Sequence, residues 1–364
     1  MAIDSELYDP TLTERSRQEF VLSLKLLANG PVQQKVRDEF ALNTAAGSQQ
    51  RQDLKRALSR SQSYRSWAVF THASQSMMWR AIEATAQRVA GEGSRRLAAL
   101  RSGASSRPRG TLQLDPTLNI PPPVINTEIH RQPGGFVGSD DPTDVLAGLR
   151  YLGASRIYSP GKRNDIEATD ARGALLVSEV RRRFAGARPK RILELGCGIG
   201  VASQAVARAF PDAEYHAIDV AAGLLRFAHL LAEERGVVLN LYQRDAAQCG
   251  FPDQHFDLIV SNIMFHETNS ARLPQILREC WRVLRAGAHM CHVDVPTQVS
   301  RLALADQFMN EWQVRWNGEP FWAAFAQLDM RQEIIDAGFD AQLAFAEHIQ
   351  RSGAAPAYVF GATR

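Results

Sequence analysis

The run Arg191-Ile192-Leu193-Glu194-Leu195, followed at once by Gly196-Cys197-Gly198-Ile199-Gly200, constrains the fold of this chain more than any other feature. A short apolar run reads as a buried strand, and glycines at alternate positions read as a turn whose backbone passes close to another group. A helical stretch over 200–210 follows and ends at Pro211. The alternation continues with strands at 215–219, 237–242, 256–261 and 289–295, and with helices at 222–235 and 271–285 closed by Gly236 and by Ala286-Gly287. Strands that alternate with helices predict a parallel sheet covered on both faces. After a helix at 328–338, strands at 341–348 and 357–363 are connected through Gly353 and Pro356, and an antiparallel pair is expected there.

Two other textures precede this α/β region. Residues 1–105 read as a helical domain. Phe20, Leu24 and Leu27 recur at helical spacing, and Asn29-Gly30-Pro31 is expected to stop that helix. Val32, Val36 and Phe40 mark a second helix, 43–52 a break, and Tyr64, Trp67, Thr71, Ser74, Met78 and Ile82 one face of a longer third. Residues 106–168 are rich in proline and glycine, which forbid long helices and central strands. Yet Ile125, Ile129, Phe136, Tyr151, Ile157 and Tyr158 are too apolar for a disordered linker, so an ordered connector packed on the domain at 169–364 is expected.

Composition supplies exclusions. No apolar run approaches the roughly 18 residues that span a bilayer. The polar, acidic first 20 residues resemble neither a secretion signal nor a transit peptide. Four cysteines, at 197, 249, 280 and 291, form no CxxC, so neither a disulfide framework nor a metal site is expected, and the cytoplasm is the expected compartment. The net charge is +3 but uneven: residues 1–110 hold 17 Lys/Arg against 10 Asp/Glu, and the remainder 25 against 29. The arginines are scattered among acids, which describes a solvated helical face and not a nucleic-acid surface.

The chemistry is carried by Glu194-x-Gly196-x-Gly198-x-Gly200 between strand and helix. Val201 stands where a dinucleotide fingerprint needs its last glycine, so that fingerprint is not met. Asp219 ends the second strand, about 20 positions on, where a carboxylate can accept from both hydroxyls of a ribose. With ILELGCGIG stand AIDVA (217–221), QRDAAQCGFP around Asp245, FDLIVSNIMFHE (256–267), ILRECWRVLRAGA (276–288) and the final AGF helix with its strand pair. In this order of motifs, residues from about 175 to 364 resemble a class I S-adenosylmethionine-dependent methyltransferase. The resemblance implies a seven-stranded Rossmann-like sheet, to which the helical N-terminal region would add a lid. It implies S-adenosyl-L-methionine as cofactor. Glu194 would orient the cofactor's amino-acid end or the glycine loop. Gly196, Gly198 and Gly200, with Cys197 among them, would pass close to methionine and ribose. Asp219 would hold the ribose, with Val220 against the adenine; Asp245 and Ala246 would flank that ring, and Asn262 would lie near the sulfonium.

Methyl transfer from a sulfonium needs alignment and exclusion of water, and a base only for a nucleophile of high pKa. Candidates beyond the fourth and fifth strands of the α/β region are His266, Glu267, His292 and Asp294, with His266 the expected base and, as the competing reading, a cap for the helix near Asn269. Tyr158 precedes Pro160-Gly161-Lys162-Arg163, and Arg163 could meet an anionic substrate group. Residues 301–327 form an aromatic insert in which Trp312 and Trp316 lie one helical turn apart, as walls of a substrate pocket or as packing for the N-terminal helices. The loop Asn262-Ile263-Met264-Phe265 lacks the prolines of DNA amine methyltransferases, so a small-molecule substrate is expected, without membrane or nucleic acid; a homodimer stays open. The alternatives are aminocarboxypropyl transfer or cyclisation leaving methylthioadenosine, an RNA or protein substrate, and a non-catalytic partner subunit.

Overall fold

The computed structural model describes residues 7–45, 51–104, 109–158, 167–301, 304–351 and 354–364. Its centre is an eight-stranded sheet in the order β1-β4-β3-β2-β5-β6-β8-β7. These strands are β1 (Thr111–Gln113), β2 (Arg191–Leu195), β3 (Glu214–Asp219), β4 (Asn240–Gln243), β5 (Phe256–Asn262), β6 (Leu284–Asp294), β7 (Phe345–Arg351) and β8 (Ala354–Thr363). β1 to β6 pair in parallel, and β8 is antiparallel to both β6 and β7. The strand order reverses between β2 and β5, and a crevice at the carboxyl ends of such strands is where open α/β sheets bind ligands.

The strand expected at 237–242 begins later because its start is used elsewhere. Helix α9 (Ala222–Glu234) ends in a left-handed Gly236, and the Val237 N–H returns to the Ala232 carbonyl as a helix cap. The strand expected at 341 likewise starts at Phe345, because Asp340 gathers the N–H groups of Gln342, Leu343 and Ala344 into a turn. The eighth strand, β1, corrects the expected count of seven. Its lead-in is held by Glu233, which accepts from the Arg109 and Gly110 N–H groups, and a Cβ at Gly110 would meet the Leu239 carbonyl oxygen at 2.1 Å. Glycine is therefore needed for the approach.

The N-terminal region is helical: α1 (Leu12–Leu27), α2 (Gln33–Ala45), α3 (Arg51–Ser59) and α4 (Gln62–Arg101). The face expected for α4 is the buried one. For α1 it is not. Phe20 is 61% exposed, while Glu14, Gln18, Val21 and Lys25 point inward. Partners make that burial tolerable: Arg88 for Glu14, Thr85 for Gln18 and Gln75 for Lys25. Asn29-Gly30-Pro31 does not stop the helix either. A π turn over Ala28–Val32 carries it into α2, its wider loop accommodating the proline. After a single turn α5 (Pro122–Ile125), helix α6 (Leu146–Tyr158) lies against α9 so closely that a Cβ at Gly148 would meet Phe227 Cβ at 2.1 Å. The α/β region continues with α7 (Glu167–Arg183), α8 (Val201–Ala209) and α10 (Leu273–Val283). Then come α11 (Leu304–Trp312), α12 (Trp322–Phe325) and α13 (Met330–Asp336). Among the described residues no helix is long and apolar enough to cross a membrane.

Candidate active site

The turn after β2 places Gly196, Gly198 and Gly200 all at positive φ, a conformation that glycine adopts without penalty. A Cβ at Gly196 would lie 2.2 Å from Met264 Cγ, whereas Gly198 faces open space. Asp219, at the end of β3, closes on this turn. One carboxylate oxygen accepts from Gly198 N–H and the other from Ala221 N–H, both at 2.9 Å. Burial raises the Asp219 acid above its usual range, against these two hydrogen bonds, and the charge of Glu267 adds to the rise. Cys197 is buried in the turn, its N–H on the Ile218 carbonyl.

Glu194 is 1% exposed and accepts from the Tyr215 hydroxyl at 2.9 Å. Burial pushes its carboxyl up to about 7, opposed by the Tyr215 hydroxyl and aided by the charge of Asp219. An unfolded glutamate titrates near 4.3, so this burial costs nothing below about pH 4; the cost grows as pH rises to 7 and is constant above. Glu194→Gln is therefore expected to unfold at a higher temperature than the parent at pH 8, by an equivalent of about 1–3 kcal/mol, and at nearly the same temperature at pH 4.5. Calorimetric scans at the two pH values check this; no gain at pH 8 would contradict it.

Glu194, Gly196, Cys197, Gly198 and Asp219 line a cleft of about 180 Å³ together with Val220, Asp245, Ala246 and Asn262. Asp245 accepts from Ala247 N–H and pairs with Arg272. Asn262 Oδ1 is buried without a hydrogen-bond partner. The connector supplies the opposite wall, with Pro121, Val124, Ile129, Phe136 and Tyr151.

Beyond β5, Ile263 stands at φ 58, a conformation that a β-branched residue rarely adopts. Asp294, at the end of β6, holds the loop there by accepting from the N–H groups of Met264 and Phe265, from Val295 N–H, and from His266 Nδ1 at 2.6 Å. His266 is 2% exposed. Burial opposes its charge, but Asp294 first, then Glu319 and Glu267, outweigh burial and raise it above the usual histidine range. His266 is not the helix cap, since Asn269 takes the Ala271 N–H. Glu267 lines the cleft and bonds His130 Nε2 at 3.1 Å, while His130 Nδ1 meets Glu319 at 2.9 Å. Burial disfavours the His130 cation, but Glu319 and Glu267 overcome it and raise His130 to about 10. Tyr158 bonds Asn317, and its ring stands 5.4 Å from that of His130.

The structure thus gathers His266, Glu267 and Tyr158 into one cluster and the expected cofactor residues into the adjoining cleft, except Gly200, which caps α8 and does not line it. Other candidates lie elsewhere. His292 is buried in the sheet with Nδ1 on Ser261 Oγ at 2.8 Å, burial lowering it to about 3. Trp312 stacks on Trp67 of α4, and Trp316 packs beside it, so both tryptophans serve the helical core and do not line the cleft. Arg163 lies outside the described residues. Sequence reasoning missed His130, Glu319 and Arg272. No local pattern marks them; His130 is placed by α4, whose Trp79 and Gln75 side chains both donate to its carbonyl while its φ is 53.

Residues 192–287 match the family model of a methyltransferase domain. Malonyl-acyl-carrier-protein O-methyltransferase of Methylococcus capsulatus is 39% identical over 111 residues, 30% of this chain and 38% of that protein. Demethylmenaquinone methyltransferase of Thermus thermophilus is 34% identical over 108 residues, 30% of this chain and 48% of that protein. The chain thus spans less than half the length of these two relatives. Among solved structures, phosphoethanolamine N-methyltransferase 2 of Haemonchus contortus with S-adenosyl-L-methionine superposes at a TM-score of 0.40 and 12% identity, over 52% of each chain.

Proposed function

We propose that this chain, whose residues 192–287 match the family model of a methyltransferase domain, transfers the methyl group of S-adenosylmethionine to a small molecule. The observation that carries the reading is the glycine turn tied to Asp219 at the point where the strand order reverses. The residues present fit the cofactor. Gly198 leaves open space, the Asp219 oxygens keep further lone pairs for ribose hydroxyls, and the unpartnered Asn262 Oδ1 suits an ammonium. Asp245 and Ala246 line the same cleft, and in this reading they flank the adenine. When bound, S-adenosylmethionine supplies a methyl group on a sulfonium with a neutral leaving group.

The chain's own part is to orient, to exclude water and to receive a proton. Ile129, Phe136 and Tyr151 close the cleft with apolar surface, which favours a small substrate over a polymer. The geometry favours Glu267 over His266 as proton acceptor, since Glu267 faces the cleft while His266 is sealed against Asp294. In this reading residues 1–105 and 106–168 form the lid and wall of a site whose floor is 169–364.

Asp219→Ala is expected to weaken cofactor binding by about 2–3 kcal/mol, as a charge-assisted acceptor of two hydroxyls is lost; titration calorimetry checks it, and unchanged affinity would contradict it. The substrate class is tested with methyl-labelled S-adenosylmethionine and cell extract. Label in the small-molecule fraction supports the reading, and label confined to protein or RNA overturns it.

A further inference from the structure

Two carboxylates line the cleft: Asp219, beside the glycine turn, and Glu267, on the loop after β5. They are close enough for the Glu267 charge to raise the Asp219 acid. Like charges that share a cleft disfavour each other unless a cation lies between them. The other charged groups of the lining are already matched. Asp245 pairs with Arg272, and Arg244 donates to the Cys249 carbonyl with its guanidinium over the Phe251 ring. Glu194 takes the Tyr215 hydroxyl.

Glu267 is also held firmly. His130 stands between it and Glu319, at 3.1 and 2.9 Å, and Glu319 is 2% exposed. This carboxylate–imidazolium–carboxylate row carries one net negative charge. His266 faces it, with Nε2 3.8 Å from Glu267 and 3.9 Å from Glu319, but its own charge is matched by Asp294 at 2.6 Å. Lys25 stands further back, its ammonium on Gln75 and over the Tyr158 ring. Among the described residues the uncompensated charge at the cleft surface is therefore negative, and Glu267 presents it together with Asp219.

We propose that Glu267, set in place by His130 and Glu319, is the group by which this chain distinguishes the cationic sulfonium cofactor from its neutral thioether product. The proposal rests on the reading that the cleft takes S-adenosylmethionine. Methyl transfer removes the positive charge from sulfur, and once Glu267 has passed on any proton it received it is again a carboxylate, so S-adenosylhomocysteine lacks an attraction that the cofactor has. At the intermediate dielectric of a partly closed cleft, a unit charge several ångströms away, partly offset by His130, gives a preference on the order of tenfold.

The test is titration calorimetry of the full chain with S-adenosylmethionine and with S-adenosylhomocysteine. The parent is expected to bind the former about tenfold more tightly. Glu267→Gln should keep its affinity for S-adenosylhomocysteine and lose most of the preference, whereas Glu267→Asp should retain part of it. A merely structural role would weaken both ligands alike. An unchanged preference in Glu267→Gln, equal loss of both ligands, or a parent without any preference would overturn the proposal while leaving the cofactor reading intact. Failure of the parent to bind either ligand would overturn both.

Discussion

A chain cut to residues 167–364 is expected to aggregate and to bind no cofactor. The reason lies in α9, where every residue from Gly223 to Ala232 is buried. One side of this helix faces the sheet. The other carries Leu224, Phe227, Leu230 and Leu231 into a core shared with Leu7, Tyr8, Val89, Leu97, Val145 and Leu149. Arg226, 1% exposed, donates from the same helix to the carbonyls of Ser139 and Asp144. Exposing four large apolar side chains costs roughly 6–12 kcal/mol, comparable with the whole stability of a domain. The cut also removes Trp79 and Gln75, which hold His130, and the wall formed by Ile129, Phe136 and Tyr151. Light scattering and cofactor titration of the shortened chain decide the matter. A soluble fragment with the parent's affinity would contradict this account.

Asp294→Ala is expected to cost about 3–5 kcal/mol, because it strands a buried imidazolium and frees three backbone N–H groups at once. In a chain of 364 residues that lowers the unfolding temperature by about 4–7 °C. The affected loop contains the strained Ile263 and the cleft residues Met264 and Glu267, so cofactor affinity should fall as well. His266→Ala should cost less, since Asp294 keeps its backbone donors, and the double variant should cost less than the sum of the two. The His266 contribution has a pH signature. The folded value is raised, so the stabilisation is complete below about pH 6.5 and is lost as pH rises through the folded value. Calorimetric scans of the three variants measure these effects; additive losses would show that the two residues do not act as a pair.

The glycine turn, Asp219 and Asn262 are legible in the sequence because each sits at a strand end, and strands with their turns are local. The buried cluster is less so. Glu267 and His266 follow β5 directly, but His130 and Glu319 reach them from segments more than 130 and 50 residues away, and no periodicity marks either. The inward face of α1 is hidden for a different reason. Its buried groups are polar, and apolar spacing selects Phe20 instead, because only the tertiary partners Thr85, Gln75 and Arg88 make their burial tolerable. β1 is three residues long, too short for any alternation to show. The tryptophans of the insert are readable as aromatic, but stacking of Trp312 on Trp67 joins residues 245 positions apart.

The activity proposed for this cleft is methyl transfer from S-adenosylmethionine. Incubating the pure protein with S-adenosylmethionine and a small-molecule extract, and identifying the nucleoside product by mass spectrometry, tests it. S-adenosylhomocysteine, formed only with extract and greatly reduced in Asp219→Ala, is the result expected. Methylthioadenosine in its place, or no nucleoside product from a protein shown to bind the cofactor, would contradict it.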